Sequence, residues 1–311
     1  MGLTKSLQSV ALLMVVSCLF LTQVLQAQSS VIEVKLWENG LPNSNGHDDG
    51  GYGLHDSNYK PIIQAYLPDP EKATGRAIVC FPGGGYLQSQ PDHYANDWAP
   101  YYNELGIALI VLHYRLPYHH PEVTISDAME AFRQTRLHAK QWHINPEDIG
   151  LQGLSAGGHL ASTLATHYQD SLRAAFQVLI YPVISFEDPY AHTGSRSNFI
   201  GEAPVLEANA SEADKKAFAI NKAAYDKKVA LYSNEKQVSQ HTPRTFLAVS
   251  QNDRLVSNSV LFYQALIQHQ VPAVLHTYPT GGHGWHIHVK NNKFEYADLV
   301  AAELKAWLAS F

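Results

Sequence analysis

Cysteine is almost absent from this chain: Cys18 and Cys80 are the two in 311 residues. A multi-disulfide scaffold is therefore excluded. Charged residues are few, at 16%, while 45% are hydrophobic, which rules out a disordered chain. Positive charge is the minority sign: 22 Lys and Arg against 28 Asp and Glu give a net charge of −6. No cluster of Lys and Arg occurs, so the counterion-displacing surface of a nucleic-acid binder is missing, as is a face for an anionic membrane. Repeats and biased tracts are missing too. Beyond the first residues there is no apolar run long enough to span a bilayer. What remains is enough chain to bury one large core or two modest ones.

The first residues read as a leader. Lys5 supplies a short positive region, and Val10 to Val24 is apolar apart from Ser17, Cys18, Thr22 and Gln23. Leu25-Gln26-Ala27 then offers a small residue at a cleavage point. The expectation is a signal peptide over residues 1–27 and a mature protein from Gln28, secreted or periplasmic. Lipoprotein processing at Cys18, in Val15-Val16-Ser17-Cys18, is the alternative, and the apolar run after Cys18 argues against it. Cleavage leaves Cys80 alone, so an exported protein relies on its core and not on a disulfide.

From Ala77 onward, apolar runs alternate with helix-like segments. Ala77–Phe81, Ile107–Leu112 and Phe176–Tyr181 are nearly continuous in apolar residues; Ile149–Leu151, Thr245–Val249 and Ala273–Leu275 are weaker examples. Strands apolar on both faces belong to parallel sheets covered by helices. Between them Ile125, Ala128, Met129 and Phe132 form one helical stripe, capped by Thr124 or Ser126. Val300, Leu304, Trp307, Leu308 and Phe311 form another. The expected class is α/β, a doubly wound, mostly parallel sheet with helices on both faces. Val31–Leu36 and Ile62–Leu67 add antiparallel edge strands. Residues 28–311 read as a single domain. Gly40–Gly53 is a polar, glycine-rich loop, and 185–243 is a cap-like insertion. Within that insertion Ser211-x-x-Asp214 caps a helix bearing Ala217, Ile220, Ala224 and Leu231 on one face.

The chemistry starts at Gly153-Leu154-Ser155-Ala156-Gly157. G-x-S-x-G arises by chance in roughly one chain in ten of this length, so its weight comes from context. A short strand precedes it, and Gly157-Gly158-His159-Leu160-Ala161 opens a helix, the strand–turn–helix of a nucleophile elbow. A serine hydroxyl needs a base to take its proton, and the base needs an orienting carboxylate. His283, in Thr280-Gly281-Gly282-His283-Gly284-Trp285, and Asp253, just past the strand ending at Ser250, supply them in the order nucleophile, acid, base. Asp253 read alone is also a possible helix cap, and His283 a surface-loop histidine.

Pro82-Gly83-Gly84-Gly85-Tyr86 follows a strand directly. Its glycines let backbone N–H groups meet the oxygen of a tetrahedral intermediate, together with the N–H of Ala156. A phosphate cradle would need a following Gly-Lys-Ser/Thr, which is not there. Tyr86 and Trp285 flank the expected site, either as sugar-stacking faces or as core packing. His283-x-x-His286-x-His288 has the look of a metal cluster, but no carboxylate stands at ligand spacing and the triad is complete without metal. His119 and His120 read as surface residues. Neither a metal nor an organic cofactor is expected.

With these residues in place, the chain resembles the α/β-hydrolase superfamily, in its esterase/lipase branch. Pro82–Tyr86 stands where many members carry His-Gly-Gly-Gly, and by that correspondence Gly84 and Gly85 are the oxyanion donors. More narrowly it is similar to exported bacterial carbohydrate esterases of the acetyl-xylan and feruloyl type, through Gly194-Ser195-Arg196-x-x-Phe199-Ile200-Gly201, Thr242-Pro243-x-Thr245-Phe246-Leu247 and Gly281–Gly284. That resemblance implies a secreted serine esterase whose partner is an acylated carbohydrate, acetyl before feruloyl. A glycosidase would need two carboxylates flanking the bond, and no such pair stands out. The class outside catalysis is a binding module on the same fold that has lost activity. Nothing in the sequence fixes an oligomeric state.

Overall fold

The computed structural model describes residues 31–48, 60–288 and 293–311. The expected leader with Cys18 lies outside the described residues, as does the part of the 40–53 loop from residue 49 on.

One eight-stranded sheet organises the described chain. Its strands are β1 (Ile32–Lys35), β2 (Ile62–Tyr66), β3 (Ala77–Phe81), β4 (Ala108–His113), β5 (Ile149–Leu154), β6 (Phe176–Ile180), β7 (Arg244–Ser250) and β8 (Ala273–Tyr278). They lie in the order β1-β2-β4-β3-β5-β6-β7-β8. β1 and β2 run antiparallel, as does the β2–β4 pair, and the other neighbours are parallel. The antiparallel expectation for the two early runs holds, but β2 is not an edge. β1 pairs outside it, Ile32 opposite Ala65, so β1 carries the exposed ladder.

The continuous apolar runs follow from the period of two in a strand with helices above and below. Ala77, Val79 and Phe81 enter one core, while Ile78 and Cys80 enter the other. Ile110 and Leu112 alternate with Leu109 and Val111 in the same way. On one face pack α1 (Pro91–Glu104), through Tyr94, Trp98 and Tyr102, and α8 (Ala297–Leu308), through Val300, Leu304 and Leu308. The opposite face is covered by α2 (Pro121–Leu137), α3 (Ala156–His167) and α7 (Val256–Gln268), with Phe132, Leu160 and Phe262 buried there. Each such side chain removed from water contributes about 1.5–3 kcal/mol. A short α4 (Gln169–Leu172) links α3 to β6.

Two helix expectations need correction. α2 begins at Pro121, with His120 preceding it, and not at a Thr124 or Ser126 cap. Proline suits the first helical position because it lacks the N–H that would go unpaired there. Thr124 instead donates to Arg115 O and Ser126 to Val123 O. In the 185–243 stretch, α5 (Thr193–Ile200) and α6 (Glu212–Leu231) are the helices. Ser211 and Asp214 form the expected reciprocal cap. The buried side of α6, however, carries Val229 and the half-buried Tyr225, while Ile220 is 61% exposed. The helix is exposed along most of its length, and the side chains that meet the body are Tyr225 and Val229, not the smaller alanines.

Candidate active site

Ser155 stands at the turn from β5 to α3 with φ 53° and ψ −120°. A left-handed backbone is unfavourable for serine and persists only when its surroundings hold it. Ser155 N–H donates to Ile180 O, and Ser155 O accepts from Gly158, His159 and Val183. The flanking glycines are required by crowding: a Cβ at Gly153 would lie 2.1 Å from Gly157 O, and one at Gly157 would lie 1.9 Å from Phe81 O.

The structure brings Asp253 and His283 to this serine. Ser155 Oγ lies 2.8 Å from His283 Nε2, and His283 Nδ1 lies 2.7 Å from Asp253 Oδ2. A carboxylate accepts only, so Nδ1 carries the proton and the Nε2 lone pair faces the hydroxyl. Asp253 is buried, and its other oxygen accepts Leu255 N–H at 2.8 Å. The carboxylate thus fixes its own loop and the imidazole together. The 281–284 loop is closed by Gly282 N–H to Asn252 Oδ1 at 2.8 Å.

The glycine loop after β3 abuts Ser155, since a Cβ on Gly83 would lie 3.1 Å from Ser155 Cβ. Its base is fixed by Tyr114 Oη donating to Pro82 O at 2.7 Å. No described residue accepts from the N–H groups of Gly84, Gly85 or Ala156.

Tyr86 and Trp285 lie near the site but turn away from it. Tyr86 is 2% exposed, its ring against Phe199 at 4.5 Å. Trp285 is 3% exposed and stacked on Phe294 at 4.4 Å. Neither offers a face to a sugar; the packing alternative describes both. Tyr86 instead anchors the glycine loop to α3. His159 Nε2 faces Tyr232 O at 2.8 Å and must donate, so Nδ1 accepts the Tyr86 hydroxyl at 2.9 Å. Burial pushes His159 down to about 3, which keeps it neutral in this role.

The histidines after His283 do not converge with it. His286 contacts His93 at 2.8 Å and Asp97 at 3.3 Å. Asp97 also accepts Ile287 N–H at 3.1 Å and His288 N–H at 2.6 Å, which ties the loop to α1. Among the described residues no group of His, Cys, Asp and Glu is arranged to hold a metal ion. His119 and His120 are exposed.

The cleft over Ser155 and His283 has a volume of about 370 Å³, with Gln88, His192, Asn198 and Arg254 in its wall. None of these four stands out in the sequence as a cleft residue, although His192 and Asn198 lie beside or within the Gly194–Gly201 segment that carries the resemblance. A larger groove, about 650 Å³ and lined by β1 and α2 residues, contains none of the triad and belongs to another part of the surface.

A family model described as alpha/beta hydrolase fold matches residues 78–287. An acetylxylan esterase of Xylanibacter ruminicola is 35% identical over 78% of this chain and 47% of its own length. An endo-1,4-beta-xylanase B of Butyrivibrio fibrisolvens is 26% identical over 84% of this chain and 39% of its own. The chain thus spans less than half the length of these two relatives. Among solved structures, an acetyl ester-xyloside bifunctional hydrolase from Caldicellulosiruptor lactoaceticus is 31% identical, with a TM-score of 0.67, covering 91% of this chain and 96% of that one. A strand order with two antiparallel strands before a parallel run, a serine in a left-handed turn after β5 and the family match over most of the sheet lead to one conclusion: this chain belongs to the alpha/beta hydrolase family.

Proposed function

We propose that the chain is a serine carboxylic-ester hydrolase that removes acetyl groups from xylan-type polysaccharide or its fragments. The observation that carries this reading is the continuous contact from Ser155 Oγ through His283 to buried Asp253, at 2.8 and 2.7 Å. The relatives named for acetylxylan and acetyl-ester hydrolysis support the substrate class.

In this mechanism His283 takes the Ser155 proton as Oγ attacks the ester carbonyl. The oxygen becomes an anion and is met by the N–H groups of Gly84, Gly85 and Ala156. His283, now charged against Asp253, returns its proton to the departing sugar hydroxyl. Water deprotonated by the same imidazole then releases acetate from Ser155. A glycosidase mechanism is less well served, because no Asp or Glu lines the cleft among the described residues. Residues 1–27 act as an export leader in this reading, which places the enzyme outside the cytoplasm.

The test is Ser155→Ala assayed on 4-nitrophenyl acetate and on an acetylated xylo-oligosaccharide. Turnover falls to background while the circular dichroism of the fold is retained. Undiminished turnover contradicts the nucleophile; a wild type inert on every ester returns the chain to the class of non-catalytic binding modules. A wild type that strongly prefers methyl ferulate replaces acetyl with feruloyl as the acyl group.

A further inference from the structure

Among the described residues that line the cleft, Arg254 is the single Lys or Arg and none is Asp or Glu. The adjacent Asp253 is committed to His283 and to Leu255 N–H. Among the described residues no carboxylate lies within ion-pair distance of the Arg254 guanidinium. The side chain is nonetheless held in place. Nη2 donates to His192 Nε2 at 3.0 Å, and His192 Nδ1 lies 2.7 Å from the hydroxyl of buried Ser195. Burial first, then the Arg254 charge, lower the His192 pKa, and at the start of α5 its Nδ1 also accepts the Ser195 N–H at 3.2 Å.

An oriented guanidinium with N–H groups left over, at the rim of a cleft with no carboxylate among its described lining residues in a chain of net charge −6, is suited to a planar anion. We propose that Arg254, set by His192, is a carboxylate-binding subsite, and that the preferred substrate carries a uronic acid unit beside the acetylated sugar. The inference rests on the esterase reading above and adds the substrate class. The cleft volume of about 370 Å³ accommodates an ester and the ring that bears it, leaving the acidic unit at the rim.

The test compares kcat/KM for two acetylated xylo-oligosaccharides that differ only in a uronic acid branch, using wild type, Arg254→Gln and Arg254→Lys. Wild type favours the branched substrate by about 3–5-fold, through KM, the size of one charge-assisted contact at an exposed site. The preference shrinks toward unity in Arg254→Gln, survives in part in Arg254→Lys and fades as sodium chloride is raised. Calorimetric binding of the same two oligosaccharides without acetyl reads the subsite apart from turnover, and tighter binding of the branched one that Arg254→Gln abolishes supports it. Equal efficiency and equal binding in wild type, or a preference that Arg254→Gln leaves intact, overturns the subsite while the esterase reading stands. A wild type that hydrolyses neither substrate overturns the esterase reading instead.

Discussion

Ser155 shows how much of this site depends on single backbone positions. Its φ of 53° is held by four main-chain bonds and by two glycines that no side chain can replace. Asp253 acts through a proton it never takes: by accepting from Nδ1 it fixes the tautomer of His283. Asp253→Asn offers an N–H in place of that acceptor, and kcat is expected to fall by about 10³–10⁴-fold with little change in KM, read by steady-state kinetics. His159 makes a separate prediction. Its folded pKa, about 3, lies below that of the unfolded chain, so the unfolded state binds the extra proton. The stability it supports is therefore complete above the unfolded histidine value and is lost as pH falls toward 3, with a slope of up to about 1.4 kcal/mol per pH unit. His159→Asn, which has no titrating ring, should show a shallower loss over that window in urea melts at stepped pH. The meeting of Ser155, Asp253 and His283 was legible because all three follow strand ends in a fixed chain order, Ser155 and His283 among glycines. The orientations of Tyr86 and Trp285 were not, because proximity in sequence does not say which way a ring turns. Trp285 is two residues from His283 yet lies in the core, its carbonyl accepting the Tyr181 hydroxyl.

Among the elements, the loop from Gly281 to His288 does the most with the fewest residues. Asp97 on α1 holds its far end through two backbone N–H groups, and Asn252 holds its near end. At Gly281, φ is 121° and a Cβ would lie 2.2 Å from the Phe294 ring. Gly281→Ala is expected to displace the His283 loop, cutting kcat by at least 10-fold and costing about 1–3 kcal/mol of stability. A kinetic assay paired with thermal denaturation checks both. Strands β3, β4 and β6 were plain from their apolar runs, since a strand covered on both faces has no polar side. The face of α6 was not legible, because one buried residue and a few half-buried ones leave hardly any periodic signal. The role of His286 escaped for another reason: its partners, His93 and Asp97, lie about 190 residues away.

For the molecule as a whole, the sheet sets the cleft at the carboxyl ends of its parallel strands, where β3, β5, β7 and β8 each deliver one part of the site. The early polar loop is fastened to this frame by charge. Arg115 and Asp127, both buried, meet at 2.8 Å, and Arg115 also donates to Asn43 O at 2.9 Å and to Asp48 Oδ1 at 3.3 Å. The loop's composition marked it as polar, but nothing local pointed to an arginine some 70 residues on. Asp127→Ala leaves that guanidinium buried without its main partner, and a loss of about 3–5 kcal/mol in unfolding free energy is expected, measured by chemical denaturation. The same reasoning explains how an acidic chain with one cysteine in its described part holds together. Two apolar cores flank one sheet, and the few buried charges are matched.

The most direct measurement is rapid-quench mass spectrometry during turnover of an acetyl ester. A transient acetyl adduct is expected on the peptide that contains Ser155, formed faster than acetate is released and absent from Ser155→Ala. Full turnover with no adduct at that residue, or with an adduct on any other side chain, would contradict it.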